Sequence, residues 1–506
     1  ERKEVLVVGG GVGGLSLAGR IARSRPGWRV QVLEKNDKVG GRMDELVTAS
    51  GFRFDLGPSL LLAPDVYEEA FRSLGSDVRD FTELLRVERA YRVFLRDNRS
   101  CVLSSDLHEM REELEGLEEG SFLQLLRYLR EAGVNYEEGF RSRPFLSKDN
   151  SLLDYVNLEN VKLLQKFDPS NLFVSHKQKL SSYFRSEDIH DLLSFQDLYV
   201  GLAPHTAPAI FSLLQYLELV RGVWYPRHGF SRIRQGLEEA AARAGVTVRR
   251  GAKVKQIQVD ESRRATGVEL EGGEVLRADI VVSNVDVPTS YEDLLRRDVS
   301  PAERERITGM SMSSSTLAFY WPVKRRISEL EHHNIFISPL GEKSWDMIFQ
   351  GDGQLPAAPS FYVCSSSKTD ASAAPAGCEN LMILVPCGCI PRGDVKIDWA
   401  ELTQRARRLV LERMRQCGID LESDVLWEEE FVLTPPEWRE RYGLYRGASF
   451  GLAHPLSQLV LLRPANRHGD VKNLYFVGAS TTPGNGVPLV LTGARMCTER
   501  ILAEWS

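Results

Sequence analysis

The first forty residues contain the feature that most restricts how this chain can fold. A short apolar run at residues 4–8 leads directly into Gly9-Gly10-Gly11-Val12-Gly13-Gly14. A second apolar run ends at Glu34, twenty residues after the last of these glycines. This order of apolar run, glycine turn, apolar run and acid predicts a βαβ unit that binds a dinucleotide.

The glycines and the acid have distinct roles in such a unit. Gly9 permits the tight turn, Gly11 lets the backbone approach the pyrophosphate, and Gly14 lets the helix pack closely on the strand. The N-terminus of that helix then faces negative phosphate. Glu34 is placed to accept hydrogen bonds from both ribose hydroxyls, and it would repel a 2′-phosphate, which disfavours NADP. We therefore expect these four residues to bind a cofactor.

Composition and charge exclude several classes of protein. The chain has 506 residues, 42% of them hydrophobic, which is enough for two domains or one large interleaved pair. Its net charge is −6, with 70 acidic against 64 basic residues, and this argues against binding of nucleic acid because phosphate contacts need a basic face. The seven cysteines lack the spacing of a zinc site, so no metal site is predicted.

The sequence predicts no membrane-spanning helix. Its most apolar window, around residues 209–220, is short and contains Gln215 and Glu218. The chain starts at Glu1 and not at methionine, which allows a signal or transit peptide to have been removed, and a plastid location is open on that ground.

Strand patterns that would extend the nucleotide-binding unit recur far along the chain. They lie at residues 246–248, 253–257 and 278–284, so this unit is expected to be discontinuous. Val254 on the second of these strands is a further candidate cofactor contact. Residues 63–221, which precede these strands, are expected to be largely helical, whereas residues 301–464 mix strands with helices.

The C-terminal region contains a second glycine-rich turn. Residues 473–480 predict a buried strand that breaks into Pro-Gly-Asn-Gly-Val-Pro at 483–488 and then into a helix. Proline in the first turn of a helix costs no hydrogen bond, and glycine allows close approach of the backbone. The positive end of that helix would stabilise negative charge on a reduced isoalloxazine. The candidate cofactor contacts here are Gly478, Gly486, Val487 and Pro488.

Several further motifs resemble one family of flavoproteins. The Gly-Gly-Arg sequence at 40–42 is similar to that of FAD-dependent amine oxidases and carotenoid desaturases, in which the arginine reaches the pyrophosphate. Residues 52–59 resemble the signature Phe-Asp-x-Gly-Pro-Ser/Thr. Segments that resemble the same family are residues 222–230, which in that family cross the flavin edge, 445–447, 462–464 and 476–488. The chain is identified as a member of the phytoene desaturase family, closer to the fungal type, notably at 208–216.

This resemblance implies a cofactor, a substrate and site residues. FAD would be bound non-covalently, since no cysteine lies within residues 479–487 for attachment. The substrate would be an apolar polyene drawn from a membrane surface, with double bonds introduced by hydride transfer to the flavin and O2 or a quinone as the electron acceptor. A peripheral membrane location follows. The resemblance adds as cofactor contacts Gly41, Arg42, Gly57, Pro58 and Ser59.

The resemblance also gives the expected architecture. We expect an α/β fold in which a Rossmann-type FAD-binding domain is discontinuous and carries an inserted, helix-rich α+β domain. The expected FAD-binding domain comprises residues 1–62, 222–295 and 466–506. The expected substrate-binding and membrane-associating domain comprises residues 63–221 and 296–465.

Departures from the family pattern keep other functions open. Some members of the family carry an Asp-x-x-Arg pair proposed to act near the flavin. Asp154 is the best counterpart of that aspartate and the candidate catalytic residue, but Asn157 stands where the arginine is expected. Thr482 replaces a frequent histidine and His228 a usual glycine, and both are expected to lie where substrate meets cofactor. The alternatives are a carotenoid cis-trans isomerase or other non-desaturating carotenoid enzyme, an amine oxidase, and a flavin-binding scaffold without turnover.

Overall fold

A computed structural model describes residues 2–140, 168–350, 353–459 and 462–506. In chain order its strands are β1 Glu4–Val8, β2 Arg29–Leu33, β3 Glu45–Val47, β4 Arg53–Asp55, β5 Leu84–Val87, β6 Arg89–Phe94, β7 Ser100–Ser104, β8 Val223–Pro226, β9 Thr247–Arg249, β10 Val254–Val259, β11 Ala265–Leu270, β12 Val275–Arg277, β13 Ile280–Ser283, β14 Ser315–Val323, β15 His333–Phe336, β16 Phe361–Cys364, β17 Glu379–Cys387, β18 Phe431–Leu433 and β19 Leu474–Phe476. Its α-helices of six or more residues are Val12–Ser24, Pro64–Ser73, Leu107–Leu117, Ser121–Val134, His176–Ser181, Glu187–Leu192, Phe230–Arg243, Pro301–Thr308, Glu342–Gln350, Trp399–Gln416, Pro435–Tyr442 and Val487–Glu504.

A five-stranded sheet organises the nucleotide-binding unit. Its order is β19-β13-β1-β2-β9, and every neighbouring pair is parallel. Alternate side chains of β1 face opposite layers, as the pleat of a strand requires. Val5 and Val7 pack into the core formed with the helices, whereas Leu6 and Val8 pack into the core that includes β10 and β11. Both faces of β1 are therefore covered, which explains its continuous apolar sequence.

A seven-stranded sheet, most of whose strands are antiparallel, is the second large sheet of the fold. Its order is β18-β14-β17-β16-β15-β6-β7, and all neighbouring strands are antiparallel except β15 and β6. On β14, Phe319 faces the core that contains Val410 of the helix Trp399–Gln416. The next residue, Tyr320, faces the other way and donates a hydrogen bond to the carbonyl oxygen of Leu56 at 2.9 Å. This sheet therefore packs its second face against the segment between β4 and the helix that follows it.

The first inserted region contains strands that were not expected. Residues 63–221 are expected to be largely helical, and their described part is mostly helical, but β5, β6 and β7 also lie within it. Strand β6 alternates polar and apolar residues only weakly, and its pairing partner β15 lies more than two hundred residues later in the chain. Long-range pairing of this kind outweighs local helical propensity and is not visible in a single local window.

The other expected elements are present with small shifts at their ends. The expected strands at 246–248, 253–257 and 278–284 correspond to β9, β10 and β13. Helix Leu107–Leu117 begins after Asp106, whose carboxylate accepts from two backbone N–H groups of the first turn. Within the described ranges, no helix is long and apolar enough to cross a bilayer.

Candidate active site

One cavity of about 1100 Å³ connects the nucleotide-binding sheet to the helical insertion. At one end it is bounded by the carboxyl ends of β1 and β2, where ligands bind in parallel sheets of this kind. At the other end its wall is apolar and includes Ile210, Phe211 and Leu214. The sequence-predicted cofactor contacts that line it are Gly9, Gly11, Glu34, Gly41, Arg42, Gly57, Pro58, Ser59, Val254, Gly478, Gly486, Val487 and Pro488.

Among the predicted residues that the structure describes, Gly14 does not line this cavity. Gly14 lies behind it, where a Cβ atom would come within 2.4 Å of the Gly9 carbonyl oxygen and within 2.8 Å of Asn284 Oδ1. Gly14 is thus the position at which the first helix lies closest to the turn after β1, as expected from the motif. Asp154, the candidate catalytic acid, is outside the described residues, as is Asn157. The cofactor and catalytic roles of all these residues stay predictions.

Asn284, which directly follows β13, contacts the glycine turn at residues 9–14 and was not predicted from the motif. Its Oδ1 accepts a hydrogen bond from the Gly14 backbone N–H, and its Nδ2 donates to the carbonyl oxygen of Val477 at 3.3 Å. A Cβ atom on Gly11 would lie 3.1 Å from the same Oδ1. Asn284 therefore links the glycine turn to the strands on both sides. The signal in the sequence was a polar residue directly after a buried apolar run.

Glu34 is held in place by backbone hydrogen bonds. It is 5% exposed; its Oε2 accepts from the Gly10 N–H at 2.8 Å and its Oε1 from the Asn36 N–H at 2.9 Å. An ionised carboxylate has about four acceptor positions, so these two bonds leave capacity for two hydroxyl donors. The geometry is suited to holding a ribose at this edge of the cavity.

We expect Glu34→Gln to weaken FAD binding about tenfold, which corresponds to about 1.4 kcal/mol. The introduced amide places an N–H₂ group opposite either the Gly10 or the Asn36 N–H, where only an acceptor fits. Titration of the apoprotein with FAD, followed by flavin fluorescence, gives the dissociation constant. Glu412→Gln is the matched control, because Glu412 is exposed on the helix Trp399–Gln416 and does not line the cavity. An unchanged affinity in Glu34→Gln would contradict this role.

Arg42 crosses from the nucleotide-binding unit towards the C-terminal segments. Its Nη1 donates to the Ser449 carbonyl oxygen at 2.6 Å. Burial lowers the pKa of Arg42, and the nearby Asp286 carboxylate opposes this shift. Asp286 itself accepts from the Ser480 hydroxyl and, at 2.9 Å, from the Tyr445 N–H. The guanidinium is thus placed beside the cavity with an anionic neighbour, in a position to meet a pyrophosphate.

Two helices direct their N-termini into the same cavity. Helix Val12–Ser24 follows Gly11, and helix Val487–Glu504 follows Gly486, which has φ of 88°. Neither helix has an acidic residue in its first turn or a side-chain cap at its N-terminus. The positive ends of both helix dipoles therefore face the space between them. This suits a dinucleotide whose central pyrophosphate lies at one helix N-terminus and whose ring system, which becomes anionic on reduction, lies at the other.

The structure corrects where two sequence features lie. His228 was expected between substrate and cofactor, but it is exposed, and its backbone N–H and Nδ1 contact Asp370 and Ser372. The whole segment 222–230, expected at the flavin edge, contributes no described residue to the cavity lining, since its strand β8 is paired with β5 behind it. Thr482, by contrast, is buried and lines the cavity.

A cluster of neutral donors lies behind Tyr362, which itself lines the cavity. The Tyr362 hydroxyl donates to Ser59 Oγ at 2.8 Å and accepts from His333 Nδ1 at 2.7 Å. One donor atom each from His332, His333 and Cys364 lies within 4.8 Å of the others, and all three residues are buried. Burial lowers the pKa of His332 to about 3, so this imidazole is neutral at physiological pH. That the protein needs no metal stays a prediction.

Comparisons with known proteins identify the family. Residues 12–502 match the family described as flavin containing amine oxidoreductase. A zeta-carotene-forming phytoene desaturase from Myxococcus xanthus is 38% identical over 99% of this chain and 94% of its own length. A phytoene desaturase from Phycomyces blakesleeanus is 37% identical over 99% of this chain and 85% of its own length.

The chain belongs to the phytoene desaturase family. Membership confirms the sequence-based family assignment, including its similarity to fungal members, and the bacterial member is equally similar. It also confirms FAD as the cofactor and an oxidoreductase activity. A crystal structure of an oxidoreductase from Methanosarcina mazei matches with a TM-score of 0.66 and 16% identity, covering 98% of this chain and 100% of that one. This likeness confirms the α/β fold of the phytoene desaturase family member described here.

The residues present fit FAD. Glycine cradles occur where a dinucleotide must approach the backbone, a fixed carboxylate stands at the ribose edge, and two helix N-termini face the negative groups. That the flavin is held without a covalent bond stays a prediction.

Proposed function

We propose that this protein is an FAD-dependent carotenoid desaturase that introduces double bonds into phytoene or a closely related polyene. The observation that carries this proposal is the continuity of the cavity, which reaches without interruption from the glycine turn of β1 to an apolar helical wall. Phytoene desaturases among its relatives, at 37–38% identity over nearly the whole chain, support the same substrate class.

The chain's own residues account for binding and orientation. A hydrocarbon offers nothing to hydrogen-bond, so its binding must come from burial at about 25 cal/mol per Å² of apolar area. Ile210, Phe211 and Leu214 supply such area. Bound FAD supplies the acceptor for the hydride that leaves the substrate. The N-terminus of helix Val487–Glu504 stabilises negative charge that arises there, and closure around an apolar chain excludes water from the reacting carbons.

Three finer points belong to the same proposal. The polyene reaches the protein from a membrane surface, on which the protein lies peripherally, and O2 or a quinone accepts the electrons. The chain divides into an FAD-binding domain of residues 1–62, 222–295 and 466–506 and a substrate domain formed by the rest. This division is supported by the sheets, since all strands of the parallel sheet come from the first set and all strands of the seven-stranded sheet from the second.

The experiment that tests this function is anaerobic incubation of the FAD-loaded protein with phytoene in liposomes. Flavin absorbance and the product spectrum are followed together. Bleaching of the flavin with a lengthened polyene chromophore is the expected result. An unbleached flavin with no new chromophore would overturn the proposal. Poly-cis carotenes with pre-reduced FAD then separate the alternatives, since an isomerase would shift the polyene spectrum and a scaffold would not.

A substitution in the apolar wall separates substrate binding from cofactor binding. We expect Leu214→Asp to lower the rate of desaturation at least about 100-fold, because an acid in the wall must either be neutralised or keep water beside it. FAD content should stay at one per chain. Leu126→Asp is the matched control, since Leu126 is 42% exposed and lies outside the cavity. Equal rates in the two variants would show that this wall does not hold the polyene.

A further inference from the structure

The most apolar window of the sequence contains an acid that the proposed function leaves unused. Glu218 is 1% exposed. Its Oε1 accepts a hydrogen bond from the Tyr91 hydroxyl at 2.7 Å, and its Oε2 accepts from Gln196 Nε2 at 2.9 Å. Among the described residues, no lysine, arginine or histidine forms an ion pair with this carboxylate. An acid buried with hydrogen-bond donors but without a counter-charge is costly to ionise, so its retention calls for a role.

A short chain of hydroxyls connects Glu218 to the cavity. The Tyr91 and Tyr199 hydroxyl oxygens are 3.4 Å apart, and Tyr199 lines the cavity. Since Tyr91 donates to Glu218, its oxygen is free to accept from Tyr199. Asn485, in the loop before helix Val487–Glu504, donates from Nδ2 to the Tyr199 carbonyl oxygen at 2.6 Å. Tyr199 is thereby fixed to the loop at which the flavin ring is expected.

The surrounding amides fix the direction of these hydrogen bonds. Gln196 Oε1 accepts from Gln215 Nε2 at 3.0 Å, and Gln215 Oε1 accepts from the Tyr128 hydroxyl at 3.1 Å. Gln196 can therefore offer Glu218 only its N–H₂ group. The carboxylate is held by two donors in its ionised form, and a proton can reach it only from the Tyr91 side.

The titratable groups around Glu218 make it the one that changes charge near neutral pH. Burial raises the pKa of Glu218 to about 7, and the hydrogen bonds from Gln196 and Tyr91 oppose the shift. Burial raises the pKa values of Tyr91 and Tyr199 well above 10, so both phenols stay protonated. The His333 ring packs against Tyr91 in a tilted arrangement with ring centroids 5.5 Å apart, and burial lowers the pKa of His333 well below its usual value.

The hydrogen-bond network continues from Gln196 and Gln215 through Tyr128 to a buried histidine–aspartate pair. His176 Nδ1 is 2.8 Å from Asp197 Oδ2, and its Nε2 is 2.6 Å from the Tyr128 hydroxyl. Burial raises the pKa of Asp197, and the His176 imidazole opposes this shift. This pair is separated from Glu218 by Gln215 and Gln196, which do not exchange protons at neutral pH. It therefore anchors the network without competing for the proton.

We propose that Glu218 receives, through Tyr91 and Tyr199, the proton that the substrate loses during desaturation. This inference rests on the proposed function. One substrate C–H bond breaks with its electron pair leaving as hydride to the flavin, and the neighbouring C–H bond breaks to release a proton as the C=C bond forms. The Tyr199 oxygen takes that proton, Tyr199 gives its own to Tyr91, and Tyr91 gives its own to Glu218 Oε1. The carboxylate becomes a carboxylic acid, and each tyrosine is restored.

In this scheme Tyr199 is the catalytic residue, and Tyr91 and Glu218 are positioning residues that act through it. The ionised carboxylate is required before each turnover. The desaturation rate should therefore rise with pH through about 7, the pKa of Glu218, and level off above it.

The test uses the FAD-loaded protein with three variants. Glu218→Gln removes the acceptor, and Tyr91→Phe interrupts the relay while leaving the Glu218–Gln196 bond in place. Tyr67→Phe is the matched control, because the Tyr67 hydroxyl is buried, has no hydrogen-bond partner among the described residues and does not line the cavity. FAD content and thermal unfolding establish that each variant is folded.

Two readouts are compared across these proteins. The first is the rate of phytoene desaturation in liposomes, measured from about pH 5.5 to about pH 8.5 so that the range brackets the expected midpoint. We expect Glu218→Gln and Tyr91→Phe to be slower by about 100-fold, with the pH step lost, and Tyr67→Phe to match the wild type. The second is infrared titration of the resting protein, in which the C=O band of a protonated carboxyl group should appear with a midpoint of about 7. That band should be absent from Glu218→Gln and retained in Tyr91→Phe.

The outcomes separate this inference from the function on which it rests. Wild-type desaturation with an unaltered rate and pH profile in Glu218→Gln would overturn the relay alone. A wild-type protein that does not oxidise phytoene, whatever its infrared titration, would overturn the proposed function and the relay with it. A missing infrared band in the wild type would refute Glu218 as the group that titrates.

Discussion

Gly14→Ala is expected to weaken FAD binding at least about 100-fold, or about 2.7 kcal/mol, and to destabilise the fold by about 1–3 kcal/mol. The added Cβ atom would come within 2.4 Å of the Gly9 carbonyl oxygen, which is backbone and cannot turn away, and within 2.8 Å of Asn284 Oδ1. The helix Val12–Ser24 must therefore move off β1. Its N-terminus then no longer faces the cavity at the distance that pyrophosphate binding requires.

Flavin content after purification and titration of the apoprotein with FAD measure this effect. Gly27→Ala is the matched control, because a Cβ atom on Gly27 meets nothing within 4 Å and the residue lies in the turn at the other end of the same helix. If Gly14→Ala bound FAD as tightly as Gly27→Ala, the close contact between helix and turn would not be needed for cofactor binding.

Arg463→Met is expected to lower the free energy of unfolding by about 3–5 kcal/mol. Arg463 is 2% exposed, and its guanidinium donates to backbone carbonyl oxygens of two separate segments, one around Ala453 and one around Ala479. Its partners, with distances from 2.7 to 3.5 Å, are the carbonyl oxygens of Leu452, Ala453, Gln458, Ala479 and Thr481. Methionine fills a similar volume but removes all of these donor groups. The Ala453 oxygen keeps a bond from Gln458 Nε2 at 3.1 Å, whereas the other carbonyl oxygens lose the Arg463 donor, and each such loss is costly.

The C-terminal turn at 478–488 should lose its shape first in this variant, because two of the freed carbonyls belong to Ala479 and Thr481. We therefore expect flavin content to fall together with the urea midpoint. Arg495→Met is the control, since Arg495 is partly exposed and forms an i,i+4 pair with the surface residue Glu499. A midpoint for Arg463→Met that matches this control would refute the role of Arg463 as the internal support of the loop.

Local sequence patterns predicted the nucleotide-binding half of the molecule well. The turn after β1 and the acid at the end of β2 depend on spacing within forty residues, and local spacing is what a sequence displays. The strands β9, β10 and β13 were also predictable, because parallel strands covered on both faces read as short apolar runs. The match of Gly9, Gly11 and Glu34 to the cavity lining follows from the same spacing.

The sequence by itself determined the α/β class, the family, the FAD-binding turn and the amphipathic helices, since each depends on residues close together in the chain. Tertiary structure alone decided that β6 pairs with β15, that His228 lies away from the cavity, and that Tyr91, Glu218 and Tyr199 meet at its wall. Tyr91 lies more than a hundred positions before both Tyr199 and Glu218, and β6 lies more than two hundred before β15. The contacts between them depend on how whole sheets and helices pack against one another, and local sequence patterns do not specify that packing.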